Sequence, residues 1–253
     1  MTPALATERV TPGEKDSAMW GGVPPSQHWV AYVGLLFLTA GMLFGSQGAP
    51  PAVLTVYMRD AGECSSRLLS EMQAEAGGIM RPAGIILVWR HFHHARCAEP
   101  VPALVVLTLE GACRSEGRCR AAGPSAPLGW THRTDGEILP FCVVDCDRVR
   151  QVVDPNIRYL PVETRDFLYG KALGRVVAHE LYHIVANTAG HATDGLAKPL
   201  LTASELVSGL CRFGKVEVDL LRRAAMRAFR VAEQRSATRQ RADGHEQTER
   251  GGK

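Results

Sequence analysis

The sequence predicts an α+β fold: a small mixed β-sheet, a backing helix, a long helix near residues 164–187 and a more helical C-terminal part. Three observations predict it. Short apolar, β-branched runs (Ala52–Arg59, Gly84–Trp89, Ala103–Leu109 and Glu137–Val144) have strand length. Two stretches instead place apolar residues at helical spacing, in Ser65–Ala76 and again from Leu173 through Val177 and Leu181 to Ile184. The resulting order, β-α-β-β-β-α, mixes the two kinds of element along one chain instead of alternating them regularly.

Each element has its own reason. Ala52–Arg59 (AVLTVYMR) opens the sheet, and Ser65–Ala76 follows with a serine at a capping position and Gly77-Gly78 as its expected stop. Gly84–Trp89 and Ala103–Leu109 read as central strands. Arg114–Pro127, rich in Gly, Arg and Ser, reads as a loop. Pro140 inside Glu137–Val144 argues for an edge strand, because proline cannot donate to a ladder. Gly170 and Gly174 weaken the first half of the helix at Thr164–Asn187. A basic helix is expected at about 216–235.

With 253 residues, 45% hydrophobic and 22% charged, the chain can bury one sizeable core. The expected organisation is a polar N-terminal segment (1–28), an export signal or membrane anchor (29–48), one domain (49–211), the basic helix (212–235) and a polar tail (236–253). The net charge of +3 excludes a global nucleic-acid signature. The stretch from Arg212 to Lys253 carries 11 Lys/Arg against 6 Asp/Glu and reads as a solvated helix with a frayed end.

Trp29–Gly45 (WVAYVGLLFLTAGMLFG) holds no charged residue, and small residues follow it up to Gly48. Its length suits either an anchor or a cleavable signal. Both readings place the rest of the chain outside the cytoplasm. All seven cysteines (Cys64, Cys97, Cys113, Cys119, Cys142, Cys146, Cys211) lie after this run, as expected for an oxidising compartment. Close pairs such as Cys113–Cys119 are expected. Cys142 and Cys146 could also join a structural zinc site, although no partner pair accompanies them.

The chemistry concentrates at His179-Glu180-Leu181-Tyr182-His183. Histidines at i and i+4 lie one above the other on a helix, so both imidazoles can reach one Zn2+ ion. Glu180 between them can take a proton from a water that the metal polarises, the arrangement required for hydrolysis. A third ligand is needed, and His191 is the expected one. Glu205 and Asp194 are the alternatives. His91, His93 and His94 form a dense cluster that could bind a second metal but reads rather as a solvated strand-to-loop cluster, and His132 could either face the cleft to steady an oxyanion or sit on a surface turn.

HELYH on a helix after an αβ sheet resembles the zincin superfamily of metallopeptidases. His191 is distantly similar to the third histidine of the metzincin motif HExxHxxGxxH, whose glycine and histidine would fall here at Ala186 and Ala189. Instead Gly190 stands four residues later and His191 two, Gly190 as a left-handed helix end from which His191 folds back. Met226 is the lone downstream methionine, and it lies in the basic segment rather than in a Met-turn. The resemblance implies that His179 and His183 are zinc ligands and Glu180 the general base. It further implies a peptide or protein substrate aligned in extended form by an edge strand, here Glu137–Val144. The gluzincin branch, which takes a glutamate ligand from a following helix, is the basis for Glu205. A non-catalytic, zinc-stabilised extracytoplasmic binding protein is the alternative, with possible membrane attachment through residues 29–45 in either case.

Overall fold

The computed structural model describes residues 51–59, 64–92, 103–117, 120, 123, 126–209 and 211–228. The expectations for residues 1–28, 29–48 and 236–253, and for His93, His94, Cys97 and Cys119, lie outside these residues. The chain divides into units Met1–Gly48 and Ala49–Lys253, and every described residue belongs to the second.

The second unit is α+β. Strands β1 (Ala52–Arg59), β2 (Ile85–His91), β3 (Leu104–Glu110), β4 (Gly129–Thr134) and β5 (Glu137–Asp145) form one sheet in the order β2-β1-β3-β5-β4. Four strands are parallel, and β4 alone runs antiparallel, beside β5. Alternation along the parallel strands turns Leu54, Val56, Met58, Val105, Leu107, Leu109, Cys142 and Val144 into the core. That face is covered by helices α1 (Ser66–Met80) and α3 (Val162–Ala186). Helix α2 (Cys146–Ile157) and the short α4 (Ala203–Val207) complete the fold, together with helical residues 215–228.

Four expectations change. Glu137–Asp145, expected at an edge, is an inner strand, and Gly84–Trp89, expected to be central, forms edge strand β2; the other edge is β4. The β4–β5 register shifts between Thr131 and Arg133, opposite the stretch of β5 that contains Pro140, so the proline falls where the ladder is already broken. Helix α1 does not stop at Gly77-Gly78 but continues to Met80, because Ile79 and Met80 are buried and their packing outweighs the low helix propensity of glycine. The disulfide is Cys113–Cys146, which ties the end of β3 to the start of α2, rather than Cys113–Cys119. It leaves Cys146 without a thiolate to offer a metal, while Cys142 is buried and free.

Gly170 and Gly174 do not break α3. They let it approach α1 closely: a Cβ on Gly170 would lie 2.7 Å from Glu71 Cβ, and one on Gly174 would lie 2.6 Å from the Met72 carbonyl oxygen. Helix 215–228 is not a free solvated helix, since Leu221, Ala224 and Ala225 are buried while Arg222 and Arg223 stay exposed. Among the described residues, no helix is long and apolar enough to cross a membrane.

Arg175 on α3 has no exposed side-chain surface. Its Nε donates to Glu75 Oε1 at 2.9 Å, and its terminal nitrogens donate to the carbonyls of Glu205 (2.6 Å), Ser208 (3.0 Å) and Gly209 (2.9 Å). Arg212 donates to the same Glu75 oxygen at 2.8 Å. Burial opposes ionisation of Glu75, yet the hydrogen bonds from Arg212 and Arg175 prevail and hold its carboxyl below the usual range. One buried carboxylate thus ties α1, α3 and the segment after α4 together.

Candidate metal centre

His179, Glu180 and His183 lie on the buried last turns of α3. The helix ends at Asn187, whose left-handed backbone (φ 48°, ψ 53°) lets its N–H reach back to the last carbonyls. Gly190, expected to play that part, is not in a left-handed conformation; its N–H bonds Thr188 Oγ1 at 3.0 Å. The turn from Asn187 to Gly190 returns the chain over the helix and delivers His191.

The three histidines converge. One ligand atom from each of His179, His183 and His191 falls within 4.8 Å of the others. The rings of His179 and His183 are edge to face with centroids 4.8 Å apart, and His191 stacks on His179 at 5.3 Å. Asp194 and Glu205 stand outside this group. Glu205 instead closes a capping box with Thr202 and pairs with Lys198 at 2.5 Å. The Lys198 bond, with those from Thr202, pulls its carboxyl down to about 2.

Backbone carbonyls set the tautomers. His179 Nδ1 lies 2.8 Å from the Leu196 oxygen, and His183 Nδ1 lies 2.7 Å from the Thr188 oxygen. A carbonyl only accepts, so both Nδ1 atoms carry hydrogen and both Nε2 atoms carry lone pairs. Those two Nε2 atoms face each other at 3.1 Å. Burial pushes the His179 imidazole down to about 4, and burial likewise lowers that of His183, so near neutral pH no proton bridges them. Two lone pairs that close repel unless a cation lies between them. The separation is near the roughly 3.3 Å expected for two imidazole nitrogens on one tetrahedral zinc. The donor set therefore fits a metal that favours nitrogen ligands, with His191, which is exposed, as the outermost donor.

Glu180 is buried beside this cluster, and burial raises its carboxyl to about 7 despite the opposing hydrogen bond from Thr131. Thr131 Oγ1 on β4 donates to Glu180 Oε2 at 2.8 Å. Strand β4 comes this close to α3 because position 129 is glycine. A Cβ there would stand 2.8 Å from the Val143 carbonyl oxygen, 3.1 Å from Val176 Cγ1 and 3.2 Å from Glu180 Oε1. His179, Glu180, His183 and His191 all open onto one cleft of about 520 Å³, walled by β4 on one side and by residues 198–201 on another.

Thr131 and the edge strand that carries it lie outside the elements expected from the sequence. The signal was present: Asp135-Gly136 is a two-residue hairpin dipeptide, and both residues have positive φ (49° and 84°). His132, read as facing the cleft or on a surface turn, is exposed on that strand. His91 is exposed at the end of β2. The carbonyls of Leu196 and Thr188 carry no sequence signal, since any residue supplies one. No family model matches this chain, and neither does any curated protein.

Proposed function

We propose that the protein is a zinc-dependent metallopeptidase of the zincin type, working outside the cytoplasm. The observation that carries this reading is Glu180: a buried carboxylate beside three converging histidines, facing an open cleft. His179 and His183 would hold the metal through Nε2, and His191 through its own ring. When bound, zinc supplies Lewis acidity and brings the pKa of a coordinated water to about 7. Glu180 accepts the proton of the attacking water and returns it to the departing amine. Thr131 occupies Oε2 and so leaves Oε1 to face the reaction. Edge strand β4, not Glu137–Asp145, offers unpaired backbone groups to an extended peptide. The Cys113–Cys146 disulfide and the apolar run before β1 support the extracytoplasmic placement.

The test is zinc content per chain together with hydrolysis of a mixed peptide pool, for the parent, His191→Ala and Glu180→Gln. The parent should bind about one zinc through three protein ligands and cleave peptides. His191→Ala should lose most of the metal. Glu180→Gln should keep it and lose turnover by about 10²-fold or more. A zinc-loaded, folded parent that cleaves nothing in the pool would refute the peptidase reading and favour a zinc-stabilised binding protein.

A further inference from the structure

The two edges of the sheet are built differently. Strand β4, which walls the cleft, is polar, and its ladder to β5 is broken between Thr131 and Arg133. Strand β2 has none of the devices that blunt an edge. It holds no proline and no lysine, its seven-residue register with β1 is unbroken, and Ile85–Trp89 (IILVW) carries no charge. Among the described residues, no strand pairs with its outer side. Apolar side chains lie open on both of its faces: Ile86 is 45% and Val88 36% exposed on one, and Leu87 and Trp89 are half-buried on the other.

The backbone of β2 has a defined outward set. The Gly84 carbonyl accepts from the Ala52 N–H at 2.9 Å, so it points to β1. In a trans peptide the next N–H points the opposite way, which turns that of Ile85 outward. Alternation then faces the backbone groups of Ile85, Leu87 and Trp89 outward and those of Ile86 and Val88 toward β1. Val88 is the midpoint of the strand Ile85–His91. A two-fold axis through Val88, perpendicular to the sheet, therefore gives the longest antiparallel overlap of two copies. In that register Leu87 and Trp89 exchange backbone hydrogen bonds with Trp89 and Leu87 of the second copy. Val88 faces its own counterpart as a non-hydrogen-bonded pair, where side chains approach most closely.

We propose that two copies of this chain join edge to edge through antiparallel pairing of β2, making one continuous sheet. The contact is isologous, so it closes at two copies. Because β2 and β4 are opposite edges, both clefts stay at the outer ends of the joined sheet. A strand of seven residues is about 23 Å long. Pairing along it covers on the order of 500 Å² on each copy, below the roughly 800 Å² per partner of a standard interface. The dimer therefore forms in the micromolar range rather than the nanomolar.

Sedimentation velocity of the full chain, from nanomolar to high micromolar concentration, should show a monomer–dimer equilibrium that levels off at the dimer mass. Val88→Lys sets like charges face to face at the axis and should weaken the dimer by about tenfold or more, with circular dichroism unchanged. Cross-linking tests the register. Under mild oxidation Val88→Cys should give a disulfide-linked dimer, because facing Cα atoms of such a pair stand about 4.5 Å apart. Ile86→Cys lies about 13 Å along the strand from its counterpart and should give no more than the parent chain, the control for its own free thiols. A chain that stays monomeric throughout would leave β2 to another occupant and overturn the proposal. Growth past the dimer mass, a dimer indifferent to Val88→Lys, or Ile86→Cys linking as readily as Val88→Cys would overturn it too.

Discussion

Replacing Arg175 by methionine tests how the metal centre is held. The substitution keeps an unbranched stem about as far as Nε and deletes a guanidinium with no exposed surface. Glu75 keeps its bond to Arg212, whose side chain is 36% exposed, and loses its fully enclosed partner. The carbonyls of Glu205, Ser208 and Gly209 lose their donors at the same time. Breaking a buried pair by removing one member costs about 3–5 kcal/mol. For a unit of this size that corresponds to a fall in Tm of roughly 10 °C. The effect should reach the histidines, because the Leu196 carbonyl that orients His179 belongs to a residue whose N–H is held by the Arg212 carbonyl at 2.9 Å. Zinc affinity should therefore fall, by about tenfold if the loss matches that of an outer hydrogen-bond partner. Thermal unfolding by circular dichroism and zinc titration against a competing chelator measure the two effects. Glu75→Gln combined with Arg175→Met should cost less than the sum of the single changes. A stability loss below about 1 kcal/mol, or strict additivity in that cycle, would refute the account of the clamp. A large stability loss with unaltered zinc affinity would refute its link to His179.

Three further outcomes are expected. Gly129→Ala should press β4 away from α3, cost about 1–3 kcal/mol and lower kcat by loosening the Thr131–Glu180 contact while zinc remains bound; unchanged kcat would count against that contact. Removing the Cys113–Cys146 bond by Cys113→Ser with Cys146→Ser frees a separation of 33 residues and should cost about 3–4 kcal/mol in urea unfolding, with a reductant producing the same shift in the parent. The third concerns pH. The folded-state pKa of Glu75 is depressed, so its contribution is complete above the ordinary glutamate range and is lost as pH falls through the folded value; acid titration of stability should show a component that disappears in Glu75→Gln. An unaltered acid profile in that variant would remove Glu75 from the ledger of acid sensitivity.

How legible the molecule was depended on whether a feature is local. Four of the five strands and the helix carrying HELYH could be read directly, because period-2 and period-3.6 patterns are properties of neighbouring residues. Helix α2 was missed: Asp145 caps it by accepting from the Arg148 N–H at 3.0 Å, but the strand that runs straight into it masks the start. Strand β4 was missed because Gly129–Thr134 is polar and only half buried, and its clearest sign was the Asp135-Gly136 turn. The edge position inferred from Pro140 was wrong because a break in the ladder accommodates a proline as well as an edge does.

The candidate site divides in the same way. His179, Glu180 and His183 were determined by the sequence alone, since the helix repeat places i and i+4 on one face whatever surrounds them. His191 was the preferred ligand among three candidates, and the tertiary structure chose it over Glu205 and Asp194 by turning the chain at Asn187 and tying Glu205 to Thr202 and Lys198. Only the fold could bring Thr131 to Glu180 across 49 residues, or the Leu196 carbonyl to His179 across 17. The sequence by itself determined that His179, Glu180 and His183 share one stretch of helix, because spacing within a helix is rigid. The tertiary structure alone decided what orients them, because such contacts depend on loop closure and packing, which no local pattern encodes.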